Sequence, residues 1–263
     1  MELKLDGRRA FVSGSTQGIG YAIARGLLSE GASVVINGRS HGRVDHAVRE
    51  LKAGDLDAPV SGIVADFEDP QQVAQLIEEL GDVDILVNNV GLFELAPFGD
   101  IGDDDWQRYF DINVMSGVRL SRAAMPSMLE KGWGRIIFIG SESGVNIPAD
   151  MVHYGVTKAA MLALSNGLAK LTRGTEVTVN TIVGGPTYSD GVAETVRTIS
   201  RAQDTSTDAL KAAIIAANTT SLLERFIDPE EVANLALYLA SPLSSATNGA
   251  AMRADGGVLT TMI

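Results

Sequence analysis

The strongest constraint on this chain is its alternation of short apolar runs with amphipathic stretches. Runs at Arg9–Ser13, Ser33–Asn37, Val60–Ala65, Val83–Val87, Arg135–Ile139, Val177–Val183 and Ala250–Arg253 read as strands, and helical patterning fills most of the intervals. Val83–Val87 is nearly continuous in its apolar character, as expected of a strand buried on both faces of a parallel sheet. The pattern predicts an α/β fold, a Rossmann-type doubly wound parallel sheet of about seven strands with helices on both faces. No Pro/Gly/Ser-rich linker divides the 263 residues, so residues 1–263 read as a single domain. With 45% hydrophobic residues, only 5% aromatic residues and 28 glycines, the core should be built of Val, Ile, Leu and Ala between tight turns.

The helical readings follow from spacing. Ile19, Ile23, Leu27 and Leu28 face one way, as do Val73, Leu76, Ile77 and Leu80. A long helix is expected from Asp103 to Lys131, interrupted near Pro126, and another from about His153 to Arg173. Pro229 opens a further helix through Ala240, with Glu230 and Glu231 in its acidic first turn. Residues 188–226 are helical in pattern but rich in Thr, Ser and Ala, and have no place in the sheet. They read either as a lid over the ligand or as plain surface helices.

A net charge of −12 argues against nucleic acid as a partner, because binding phosphates needs clustered Lys and Arg. The absence of cysteine removes disulfides and thiolate metal sites, and no metal is expected. The start of the chain lacks an apolar leader and no run reaches membrane length, so a soluble, cytoplasmic protein without a membrane partner is expected.

The chemistry-bearing residues fall at strand ends. The first strand runs into Gly14-Ser15-Thr16-Gln17-Gly18-Ile19-Gly20 and then a helix, the layout of a phosphate cradle. There Gly14, Gly18 and Gly20 let the backbone approach a pyrophosphate, and the first N–H groups of the helix attract its charge. The second strand ends in Gly38-Arg39-Ser40, without the acidic residue that favours a free ribose hydroxyl. Arg39, with Arg43 nearby, favours a 2′-phosphate, hence NADP(H) over NAD(H). The fourth strand closes in Asn88-Asn89-Val90-Gly91 at the ligand-bearing edge, and Asn113 sits among Phe110, Ile112, Val114 and Met115 as an amide that needs partners. Tyr154 and Lys158, spaced i,i+4 on one helix, share a face. An ammonium beside a phenol favours the phenolate and moves a group of pKa about 10 toward working pH. Ser141, placed just past the fifth strand, offers a hydroxyl to hold a substrate oxygen beside that phenol.

Taken in order, these residues resemble the short-chain dehydrogenase/reductase family over nearly the whole chain. The motifs are Ser-Gly-x-x-x-Gly-Ile-Gly at 13–20, Asp66, Asn-Asn-Val-Gly at 88–91, Asn113, Ser141, Tyr154-x-x-x-Lys158, the Gly185 turn and Asp255-Gly-Gly, with thirteen residues from Ser141 to Tyr154. The resemblance implies that Tyr154 is the general acid/base and that Ser141 bonds the reacting oxygen. It also implies that Lys158 lowers the phenol pKa and binds the nicotinamide ribose, and that Asn113 holds a water linking Lys158 to solvent. Ser15, Gln17 and Ile19 in the turn, Asp66 at the adenine, and Asn88, Gly91 and Thr187 toward the nicotinamide would line the cofactor. Three positions depart from the family pattern: Ser13 for Thr, Val90 for Ala and Gly184 for Pro.

The implied reaction is hydride transfer between nicotinamide and a small-molecule carbonyl or alcohol. Two other readings stay open, an NAD-dependent polyol or sugar dehydrogenase and a cofactor-binding regulatory protein without turnover. The resemblance further implies a homo-oligomer, tetramer or dimer, pairing the helices around 103–131 and 153–173. His153 reads as a packing or subunit-contact residue. Glu142 reads equally as a ligand for a polar substrate or as a cap on a backbone turn.

Overall fold

The computed structural model describes residues 2–262. Seven parallel strands form one sheet in the order β3-β2-β1-β4-β5-β6-β7: β1 (Arg9–Val12), β2 (Ser33–Gly38), β3 (Val60–Val64), β4 (Ile85–Asn88), β5 (Trp133–Ser141), β6 (Glu176–Gly184) and β7 (Ala251–Ala254). The order reverses between β1 and β4, which opens a crevice at the carboxyl ends of those two strands, where such sheets bind ligands.

Alternation along the strands builds two cores. Ala10, Val12, Ile85, Val87, Ile137 and Ile139 face one side, where α1 (Gly18–Ser29), α2 (His41–Leu51) and α9 (Pro229–Ala240) pack. Phe11, Leu86, Ile136 and Phe138 face the other, against α3 (Pro70–Leu80), α5 (Ser116–Lys131) and α6 (Val152–Ala169). Both faces are therefore covered, as the apolar strand sequences require. Two helix starts are capped. Asp69 caps α3 by accepting from Gln71 N at 2.8 Å, and Asp228 and Glu231 form a capping box behind Pro229.

Two expectations are corrected. The stretch 103–131 is not interrupted at Pro126, which lies inside α5 on its exposed face, where the carbonyl it leaves without a partner can bond water. The break lies earlier, in a π-helical segment over Phe110–Met115 between α4 (Asp103–Tyr109) and α5. Ser141 is not beyond the fifth strand but its last residue, because β5 keeps pairing with β6 as far as Ser141–Gly184.

Residues 188–226 form α7 (Asp190–Ala202), α8 (Thr207–Ala217) and a return loop. The excursion is pinned where it begins and ends: Tyr188 N donates to Ile227 O at 2.9 Å, and Ile227 N donates to Pro186 O at 2.8 Å. Among the described residues no helix is long and apolar enough to cross a membrane.

Candidate active site

The glycine turn is held in shape by side chains on both sides of it, some of which never reach the cleft. Ser15 is fully buried, its hydroxyl donating to Val12 O at 2.6 Å and accepting from Asn37 N at 3.0 Å. Asn37 in turn accepts from Gly14 N at 3.1 Å and donates to the carbonyls of Ile63 and Ala65, tying β2 to the turn and to β3. From the β4 side, Asn89 Nδ2 donates to the carbonyls of Ser13 and Gly14, both at 2.9 Å. Gly20 makes this possible, because a Cβ there would stand 2.5 Å from Asn89 Nδ2 and 2.6 Å from Gly14 O. Ser13 keeps the hydroxyl function, accepting from the N–H groups of Asn89 and Val90.

What remains facing the crevice is a cleft of about 360 Å³. Gly14, Gln17, Gly18, Ile19 and Gly20 of the turn line it at one end, and Gly91 lines it too. Ser141, Tyr154, Lys158 and Thr187 gather at the other end. The cleft does not bring in every expected residue. Ser15 acts from behind the turn. The Asn88 side chain points into α5, donating to Ser121 Oγ at 3.2 Å. Asp66 stands at the end of β3, accepting from Glu68 N at 3.0 Å. Arg39 projects exposed from the end of β2, and no carboxylate among the described residues pairs with it or with Arg43.

The reactive end is built by β5 and α6. Gly155 lets the 142–147 loop press onto the helix, since a Cβ there would lie 2.7 Å from Ser143 O. Ser141 Oγ donates to Glu142 Oε2 at 2.5 Å and accepts from Ser143 N at 3.1 Å. Ser143 also donates to Glu142 Oε2, from its hydroxyl at 2.8 Å and from its backbone N–H. Lys158 is buried, donates to Ile139 O at 2.9 Å and lies 5.7 Å from the centroid of the Tyr154 ring. The edge of Phe93 packs on the same ring, with centroids 6.2 Å apart.

The expected net lowering of the phenol pKa by Lys158 is not met by this geometry. Tyr154 is pushed up to about 12, chiefly because the protein around its narrow cleft strips water from it. The Ser141 hydroxyl lowers it and the Glu142 charge raises it, and both effects are smaller. The ammonium is pushed down to about 8 by the same burial. Desolvation outweighs mutual stabilisation because both groups lose water together.

Asn113 is fully buried in the π-helical segment and entirely engaged. Its Oδ1 accepts from Leu92 N at 2.8 Å, and its Nδ2 donates to Leu92 O at 3.0 Å and to Thr157 Oγ1 at 2.9 Å. The amide thus staples the loop after β4 to the helix that bears Tyr154 and Lys158. It also stands close to the ammonium: a Cβ on Gly91 would lie 3.4 Å from Asn113 Oδ1 and 3.5 Å from Lys158 Nζ. His153 is buried against Tyr109, with ring centroids 4.0 Å apart, in agreement with a packing role.

Two residues that contribute to the site were not read from the sequence. Ser189 lines the cleft and caps α7, and Asp190 Oδ2 accepts from Gly18 N at 2.7 Å. A Ser-Asp pair opening a helical stretch was the available signal. The Asp190 carboxylate is a stand-in anion on the glycine turn, showing that this N–H points where a negatively charged oxygen can accept from it. With Gly14, Gly18, Ile19 and Gly20 lining the cleft beside it, the residues present fit a dinucleotide pyrophosphate.

Residues 8–200 match the family model described as short chain dehydrogenase. An uncharacterized oxidoreductase of Bacillus subtilis, YvaG, is 44% identical over 98% of both chains. A D-beta-hydroxybutyrate dehydrogenase of Cupriavidus necator is 31% identical over 96% of this chain and 98% of its own. Among solved structures, the L-sorbose reductase of Gluconobacter frateurii, complexed with NADPH and L-sorbose, aligns over 100% of both chains at 32% identity with a TM-score of 0.93. Fold, cleft and relatives together define a nicotinamide-dependent oxidoreductase of the dehydrogenase/reductase class. The chain belongs to the short-chain dehydrogenase/reductase family.

Proposed function

We propose that the protein is an NADP(H)-dependent carbonyl reductase, or alcohol dehydrogenase in reverse, with Tyr154 as its general acid/base. The observation that carries this reading is the meeting of Ser141, Tyr154 and Lys158 in one cleft with the glycine turn. The bound nicotinamide supplies or accepts the hydride. Gly14, Gly18 and Ile19 would hold the pyrophosphate, and Lys158 and Thr187 the nicotinamide end. The unpaired Arg39, on a strand end lacking any acid, supports a 2′-phosphate over a free hydroxyl.

The residues divide the proton work. A phenol with its pKa near 12 is neutral at neutral pH, so Tyr154 meets a carbonyl oxygen as a proton donor. Lys158, with its pKa near 8, is mostly protonated there and lies beside the phenolate left once the proton has gone. Asn113 fixes the loop and helix relative to each other. Residues 188–226, pinned at both ends beside Thr187, serve as a lid over the substrate end. Titration with NADPH and NADH, followed by nicotinamide fluorescence, tests the cofactor assignment. NADPH should bind at least about tenfold tighter, a difference of about 1.4 kcal/mol, and tighter NADH binding would remove the role given to Arg39.

A further inference from the structure

Only two of the residues lining the cleft are charged, Lys158 and Glu142. Lys158 lies beneath the phenol and is directed at Ile139 O. Glu142 is half-buried beside the position of the reacting oxygen. All of its hydrogen bonds fall on one oxygen: Oε2 takes Ser141 Oγ, Ser143 N and Ser143 Oγ, whereas Oε1 has no partner among the described residues. The nearby walls contributed by Phe93, Met151 and Val192 offer carbon rather than donors. The cleft therefore holds an unused carboxylate acceptor and, beyond Lys158, no cation.

The distance from the reacting centre follows from connectivity. Ser141 stands between Glu142 and Tyr154, so the carboxylate lies within roughly two hydrogen-bond lengths, about 5–6 Å, of the phenol oxygen. A donor reaching Oε1 from a substrate whose carbonyl oxygen is on Tyr154 sits one or two carbons from that carbonyl. A substrate carboxylate in the same place would meet a like charge, with no cation lining the cleft except Lys158, which donates to Ile139 O.

We propose that Glu142 selects the substrate, its Oε1 accepting a hydroxyl one or two carbons from the reacting carbonyl and its charge rejecting keto acids. The substrate is then a neutral hydroxyketone, or a neutral diol in the oxidising direction. This rests on the carbonyl-reductase reading and narrows it. Three donors already share the charge on Oε2, so the remaining acceptor suits a neutral hydroxyl. An acceptor that a bound substrate covers discriminates strongly, because a substrate lacking the donor removes its water and leaves it unpaired.

The test is steady-state kinetics with NADPH on 1-hydroxy-2-butanone, acetoacetate and 2-butanone, in the wild-type enzyme and in Glu142→Gln. The amide keeps an oxygen for Ser141 while removing the charge, and NADPH affinity checks that the variant is folded. Wild type should favour the hydroxyketone over acetoacetate by at least about a hundredfold in kcat/KM, and the variant should lower that ratio at least about tenfold, mainly through KM. A wild-type ratio within about threefold of unity, or a ratio unchanged in the variant, overturns the assignment. Turnover of 2-butanone without such discrimination overturns the role of Glu142 alone, whereas no turnover of any of the three ketones overturns the reductase reading with it.

Discussion

The carboxylate of Asp190, at the start of α7, accepts a hydrogen bond from Gly18 N at 2.7 Å across 172 residues of sequence. An N–H at the start of α1, which the cofactor's pyrophosphate would also use, is thus held by the protein's own anion. A bound dinucleotide would displace that carboxylate and bring two negative groups together at one helix end. Asp190→Asn should tighten NADPH binding by three- to tenfold, about 0.7–1.4 kcal/mol. Fluorescence titration at fixed ionic strength measures the change.

Arg39 extends from β2 without an ion-pair partner among the described residues, at the strand end where the proposed cofactor's ribose would lie. Arg39→Asp should weaken NADPH by at least about tenfold and bring NADH level with it or ahead, since an acid accepts from a 2′-hydroxyl and repels a 2′-phosphate. The NADPH affinity of the wild type should also fall with added salt more steeply than its NADH affinity, because an exposed arginine is screened.

Tyr154 and Lys158 give a pH profile whose direction follows from their shifts. Tyr154, pushed up to about 12, stays a proton donor across the working range, so its own titration does not limit reduction. Lys158, pushed down to about 8, carries its charge below that pH and loses it above. Loss of the ammonium removes the group that stabilises the phenolate formed on proton donation. The kcat for reduction should therefore be level below about pH 8 and fall above it. Tyr154→Phe should lose at least about a thousandfold in kcat, with NADPH affinity changed only a few-fold. Stopped-flow NADPH oxidation across pH reads both effects.

The sheet was legible in the sequence because each strand is an apolar run next to a turn residue, and Gly14, Ser141, Tyr154 and Lys158 were legible because they follow those strands at fixed separations. Less was legible where a side chain works through the backbone. Ser15, Asn37 and Asn88 carry hydrogen-bonding groups that point inward, and nothing in their spacing distinguishes a group serving the turn from one facing the cleft. The π-helical segment at Phe110–Met115 leaves no residue signature, and the conspicuous Pro126 drew the expected break to the wrong place. The phenol's upward shift was illegible for a different reason: the i,i+4 pair gives proximity, but the desolvation that outweighs it depends on how the folded chain, Phe93 included, covers the ring.

Asn113 makes the clearest stability prediction. Its amide satisfies the N–H and the carbonyl of Leu92 and accepts no substitute from solvent, being fully buried. Asn113→Ala leaves both backbone groups of Leu92 without those bonds and opens a small void against Thr157. Leu92 is half-buried, so water replaces part of what its backbone loses, and with the void a loss of roughly 1–3 kcal/mol is expected. Asn113→Asp should cost less at low pH than at neutral pH. A protonated carboxyl can still donate to Leu92 O or Thr157 Oγ1, whereas an ionised one places a charge in a buried site and donates nothing. Chemical denaturation of the three proteins at two pH values measures this. If the amide acts only as a staple, the stability losses should rank with the losses in kcat, because the same displacement of the loop after β4 that weakens the fold moves Gly91 relative to Lys158 and Tyr154.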